Sequence, residues 1–414
     1  MDELVRLTAK KAVDLLKCGE ISPMELIDAA AQRISETDDA INAMPTLCFE
    51  RARSHAEKMI TSRISDPPDC YLHGLPIAVK DLNDVAGVRS TLGSPIYADN
   101  IPDCSDYMVE ILEGNGAIVI GKSNTPEFGA GGNTFNEVFG ATRNPWDTSM
   151  TAGGSSGGAA AALATGQVWL ATGSDLAGSL RIPASYCSVV GLRPTPGRVA
   201  YGPDPLPFGT LSVEGPMGRT VGDVALMLDA QTGIHFDDPR SFPKPEEPFI
   251  SAVNQPVVPR RVSYSPDLGI APVVREVREI CAKAAESFSG IGTVVEEACP
   301  DFQDAEEIFQ VLRADGFAAE FGDLIVEHRD KMKPELIWNI EKGLALTCED
   351  VRRARLAQGE LYHRVAEFFQ STDLLLCPAV VAPPFKVDIR YLTEVEDVEF
   401  NSYIDWLVLT YAIT

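Results

Sequence analysis

Thr151 to Ala184, TAGGSSGGAAAALATGQVWLATGSDLAGSLRIPA, most narrows what this chain can become, because two turns of small residues enclose one short apolar run. Gly153-Gly154-Ser155-Ser156-Gly157-Gly158 precedes a run of alanines, so the glycines permit a sharp, close-packed turn and Gly157 onward opens a short helix. Gln167 to Thr172 then reads as a buried strand, Gly173 to Ser179 as a second turn, and Leu180 to Ser185 as the first turn or two of another helix. Successive backbone N–H groups in a turn that enters a helix form an anion-binding concavity, which suits the oxyanion of an acyl-transfer intermediate. A glycine-serine run is otherwise read as a flexible linker. Here an ordered strand and a second turn follow it, which a linker does not call for.

GGSSGG followed by GSDLAGSLRIPA resembles the amidase signature family, serine hydrolases with a Ser-Ser-Lys triad in place of Ser-His-Asp. The resemblance implies Ser179, in the D-x-G-G-S turn, as nucleophile and Ser155, which in the family follows a cis peptide bond, as the bridging serine. His73-Gly74-Leu75-Pro76-Ile77-Ala78-Val79-Lys80-Asp81 is similar to the family's H-G-x-P-x-x-V-K-D pattern and supplies Lys80. In the implied roles Ser179 attacks a carbonyl and Ser155 relays its proton to neutral Lys80, which later protonates the leaving amine. The N–H groups of Leu176, Ala177, Gly178 and Ser179 hold the oxyanion. Ser156 supports the cluster, and Asp175 and Arg181 pair across the turn to brace it. Ala177 stands where the family commonly has glycine; if the position requires positive φ, alanine costs on the order of 1 kcal/mol.

Leu75 to Val79 is apolar on both faces, as a buried strand should be, and delivers Lys80 to the strand's C-terminal end, where open α/β sheets place ligands. A lysine acting as a base near neutral pH needs a lowered pKa, and desolvation among apolar neighbours supplies it. Gly116 to Ser123, GAIVIGKS, matches the spelling of a phosphate-binding loop. Its middle is a β-branched strand, so the match is read as chance. Cys187 reads as a buried core thiol, having no cationic sequence neighbour.

Sixty acidic against 35 basic residues give a net charge of −25, which disfavours direct contact with nucleic acid or an anionic membrane. Nine scattered cysteines without a C-x-x-C pair fit reduced thiols, and five histidines show no metal-ligand spacing. No metal or cofactor is implied. There is no membrane-length apolar run and no basic leader after Met1, so a cytoplasmic protein acting on a small-molecule amide is expected, with a homodimer possible through the N-terminal helices.

The expected fold is a single α/β/α domain, with helices covering a central mixed, twisted sheet. Residues 1–65 should be helical, beginning with a capping box at Ser22-Pro23-Met24-Glu25 and a second helix over 48–60. Residues 71–231 should form the catalytic core, and 256–414 a substrate-shaping part of strand, helix (274–288), strand (293–297), several helices and a strand over 373–381. The family's later G-x-P and G-L-P-x-G-L-Q blocks are absent, so the expectation is a C-terminally truncated amidase signature fold whose apolar tail, 403–414, leaves surface uncovered. The expected function is hydrolysis of a carboxylic amide through a seryl acyl-enzyme. The alternatives are a glutaminase subunit of an amidotransferase working with a partner chain, and a non-catalytic product of a truncated gene.

Overall fold

The computed structural model describes residues 2–62 and 64–414; Met1 and Arg63, both inside the expected N-terminal helical stretch, lie outside the described residues. These residues gather into two compact units, one reaching to Gln255 and taking in Lys386–Asp388, the other formed by Pro256–Phe385 and Ile389–Thr414.

In the first unit, helices run over Asp2–Arg6, Ala9–Cys18, Pro23–Ile41 and Phe49–Thr61. The capping box is present: Ser22 Oγ accepts from the Glu25 N–H at 3.3 Å, and Glu25 Oε2 accepts from the Ser22 N–H at 2.8 Å. Pro23, whose missing N–H is no loss there, occupies the first turn. Leu26, Ile27, Ala29, Ala30, Ile34 and Ile41 face the core at helical spacing. The N-terminal stretch is not wholly helical, because Thr46–Leu47 forms a short edge strand, β1.

The central sheet is built from β1, β2 (Leu75–Lys80), β3 (Ala117–Ser123), β6 (Leu170–Asp175), β7 (Val190–Gly191) and β8 (Val213–Gly218), in the order β1-β3-β2-β6-β8-β7. A small hairpin, β4 (Phe135–Asn136) with β5 (Gly140–Ala141), stands apart from it. β2 pairs in parallel with β3 and β6, whereas β6–β8, β7–β8 and β1–β3 are antiparallel, so the sheet is mixed as expected. Every residue of β2, β3, β6 and β8 is buried. Helix Gly157–Thr165 is buried through Leu163, and the close approach explains its glycines: a Cβ on Gly158 would lie 2.3 Å from the Asn124 nitrogen. β6 begins three residues later than the sequence suggests and runs through Asp175. Ser174 and Asp175, which read as turn residues, instead continue β6 and pair with Glu214 and Val213 of β8.

The second unit has its own three-stranded parallel sheet, β10-β9-β11, from β9 (Arg261–Tyr264), β10 (Val294–Glu297) and β11 (Leu374–Leu376). β11 stops well short of Val381 because Pro378 follows it and has no N–H for a ladder. Helices Arg275–Glu286, Ala305–Phe321, Pro334–Leu344 and Cys348–Phe368 fill the remainder. The apolar tail folds into helix Val408–Ile413, with Leu409 and Tyr411 buried and the Tyr411 ring stacked on Phe309 at 4.4 Å. The tail is thus packed rather than left uncovered. Among the described residues no helix is long and apolar enough to cross a membrane.

Candidate active site

β2 carries Lys80 to its last position, where the side chain is fully buried. The Lys80 N–H donates to Thr172 Oγ1 at 2.9 Å, fixing the strand end against β6. Lys80 Nζ lies 2.7 Å from Ser155 Oγ, 2.9 Å from Ser156 Oγ and 2.9 Å from Ser174 Oγ. Among the described residues no carboxylate lies within ion-pair distance of it. Three hydroxyls serve either protonation state, since an ammonium donates three N–H groups to them and a neutral amine donates two and accepts one. Burial lowers the Lys80 ammonium from its ordinary range to about 7, with the charges of Glu214 and Asp175 opposing the change.

The serine turn is held by side chains on both flanks and is no linker. Thr134 Oγ1 donates to the Gly153 carbonyl at 2.8 Å and accepts from the Gly157 N–H at 3.2 Å. Thr151 Oγ1 accepts from the Gly153 N–H at 2.9 Å. The Gly154–Ser155 peptide is cis. The Ser156 N–H donates to the Ser179 carbonyl at 3.2 Å, which joins this turn to the second one.

That second turn is organised by Asp175, which is fully buried. Its carboxylate accepts from the Gly178 N–H at 2.8 Å and the Leu180 N–H at 3.2 Å, and Arg181 grips it at 3.0 and 2.9 Å. Arg193 adds a second cation at 3.6 Å. Burial works against the Asp175 charge, but these two guanidinium groups and the Gly178 N–H hold its carboxyl below the usual range. The Gly178 N–H, expected to face an oxyanion, is therefore bonded to Asp175 instead. Gly178 takes φ 113, whereas Ala177 is not among the positive-φ residues, so alanine costs no backbone strain there. Ser179 is half-buried, and among the described residues no hydrogen bond joins its hydroxyl to Ser155. Such bonds are often open without substrate and close in its presence.

Of the residues singled out in the sequence, Lys80, Ser155 and Ser156 meet directly, and Asp175 with Arg181 braces the turn that presents Ser179. Ser174 was not anticipated. Its signal is period-two spacing: Thr172 and Ser174 alternate along β6, and both meet Lys80. Lys122, in the phosphate-loop lookalike, is also fully buried, and pairs with Asp81 at 3.0 Å and with Ser90 Oγ at 2.7 Å. Burial pushes the Cys187 thiol up to about 12, in keeping with a core thiol. Among the described residues no group of three or more His, Cys, Asp or Glu could hold a metal ion.

The fold has counterparts among amide hydrolases of known structure. A bacterial aryl acylamidase of the amidase signature enzymes superposes with a TM-score of 0.90 at 29% identity, covering 98% of this chain and 87% of that one. 6-Aminohexanoate cyclic dimer hydrolase follows at 0.86 and 26%, covering 99% and 88%. In sequence, the acylamidase of Rhodococcus erythropolis is 35% identical over 381 residues, 92% of this chain and 80% of that protein. One glutamyl-tRNA(Gln) amidotransferase subunit, from Prochlorococcus marinus, is 36% identical over 302 residues, 72% of this chain but only 62% of its own length. The amidase family profile matches residues 25–414. The chain belongs to the amidase family and is a hydrolase acting on amide C–N bonds.

Proposed function

We propose that this chain cleaves a small carboxylic amide through an acyl-enzyme on Ser179. Ser179 Oγ attacks the carbonyl carbon as its proton passes through Ser155 to the neutral Lys80 amine. The tetrahedral intermediate collapses with cleavage of the C–N bond, and Lys80 returns the proton by the same relay to the departing amine. Water then releases the acid by the reverse sequence. Backbone N–H groups of the turn Leu176–Ser179 would hold the oxyanion; because the Gly178 N–H is committed to Asp175, Leu176, Ala177 and Ser179 are the proposed donors. The observation that carries the reading is a fully buried Lys80 whose Nζ meets three serine hydroxyls and, among the described residues, no carboxylate.

The acylamidase likeness spans more of both chains than the amidotransferase likeness, which favours a free-standing amidase over a partner-dependent glutaminase. N-acyl anilides are accordingly the first substrates to try. All nine cysteines are free, which supports a reducing, cytoplasmic setting, and the charge of −25 argues against direct binding of nucleic acid. Intact-mass spectrometry after mixing with a slow-turnover acyl substrate tests the proposal. One acyl adduct is expected on the wild-type chain and none on Ser179→Ala; an adduct that persists in the variant would overturn the assignment.

A further inference from the structure

Glu214 of β8 stands directly opposite Ser174 of β6. Residues paired across an antiparallel ladder project to the same face. Ser174 uses that face to meet Lys80 Nζ, so Glu214 lies on the lysine side of the sheet. Its side chain is 4% exposed. Asn83, on the loop that follows Lys80, donates through Nδ2 to Glu214 Oε1 at 3.0 Å and to Asp106 Oδ2 at 3.1 Å. Glu214 Oε2 is buried without a hydrogen-bond partner among the described residues. An ionised oxygen in that position is costly unless a nearby charge compensates.

The surrounding groups leave Lys80 as that charge. Asp175, the other carboxylate that acts on Lys80, is already neutralised by Arg181 and Arg193. Helix Gly157–Thr165, packed on β8, carries no ionisable side chain. Helix Val221–Gln231 brings Asp223 and Asp229, which are bonded to backbone N–H groups of Lys10 and Thr220 and of Phe249 and Ile250 respectively. Asp106 and Asp84 face the Asn83 side; burial raises both carboxyls, that of Asp106 to about 7. Burial likewise raises the Glu214 carboxyl, with Asn83 and Lys80 pulling it back.

We propose that Glu214 is a positioning residue for this site: a buried counter-charge, steadied by Asn83, that sets the pH at which Lys80 turns from ammonium into base. The inference rests on the reading of Lys80 as the base. While ionised, Glu214 favours the ammonium and delays the appearance of the amine. Without that charge the amine appears at lower pH.

The test is the second-order rate of Ser179 labelling by an alkyl fluorophosphonate between pH 5 and 9, which requires no knowledge of the natural substrate. Glu214→Gln should move the midpoint of the rising limb toward acid by about one pH unit, so that labelling at the foot of the wild-type limb increases up to about tenfold. Glu214→Asp should restore the midpoint in part. A Glu214→Gln midpoint equal to the wild-type one overturns the inference. Should Glu214→Gln not fold, Asn83→Ala decides: losing the donor lowers the ionised fraction of Glu214, so its midpoint must also move toward acid, and an unmoved midpoint is equally fatal. Lys80→Met separates the two readings. If it labels at the wild-type rate and with the wild-type profile, the base assignment itself fails; if it loses the rising limb while Glu214→Gln leaves the midpoint in place, only the role of Glu214 fails.

Discussion

Two lysines sit at the C-terminal ends of neighbouring parallel strands, and they differ in what surrounds the side-chain nitrogen. Lys80 of β2 and Lys122 of β3 are both fully buried, and the register places Val79 beside Lys122 and Lys80 beside Ser123. Lys122 meets the Asp81 carboxylate at 3.0 Å, and Asp81 is further bound by the Thr91 N–H and hydroxyl. Lys80 meets only hydroxyls within hydrogen-bond reach. A buried cation with a carboxylate partner is locked as an ion pair, whereas one facing hydroxyls bears its desolvation cost and becomes able to lose its proton. The same residue type in the same sheet thus gives a brace in one place and a candidate base in the other.

The largest effect expected from breaking this contrast is at Lys80. Lys80→Met should lower kcat/KM for an anilide by about 10²- to 10⁴-fold, the span ascribed to general acid–base catalysis, while the thermal midpoint holds or rises. Lys122→Met should do the reverse, costing about 3 to 5 kcal/mol in urea unfolding because it strands the Asp81 charge in the core. Equal effects of the two variants on stability would erase the distinction.

The pH dependence sharpens it. With the Lys80 value brought down to about 7, the amine form accumulates above that pH, so amide turnover should climb through neutrality and level off. Stability takes the same sign. Between about 7 and the ordinary 10.5 the unfolded chain binds the extra proton, so the cost of burying Lys80 is felt in full below 7 and fades as pH rises. The smallest effect belongs to Ser174→Ala. It removes one of three hydroxyls and should change kcat/KM by less than about tenfold, in line with roughly 0.5 to 1.5 kcal/mol for one hydrogen bond.

What could be read in the sequence was local. The Ser22 capping box, the apolar strand leading to Lys80 and the glycine-flanked serines each announce themselves within a few residues. What could not be read depended on partners distant in the chain. Lys122 belongs to Asp81, 41 positions away, and the lookalike phosphate loop concealed that pairing. Ser174 and Asp175 looked like turn residues because their polarity argues against a buried strand; the antiparallel pairing with β8 overrides that preference. Glu214 gives no sign until the β6–β8 register places it across from Ser174. The commitment of the Gly178 N–H to Asp175 likewise needs the turn's geometry, since Asp175 could have been spent on Arg181 alone.

The central claim, that Lys80 is the group whose loss of a proton switches the site on, is tested most directly by the pH profile of kcat/KM for Lys80→Met set beside that of the wild type on 4-nitroacetanilide. The wild type should show a rising limb centred near 7, and the variant a low, flat profile. A variant that keeps the wild-type limb, at whatever amplitude, would contradict it.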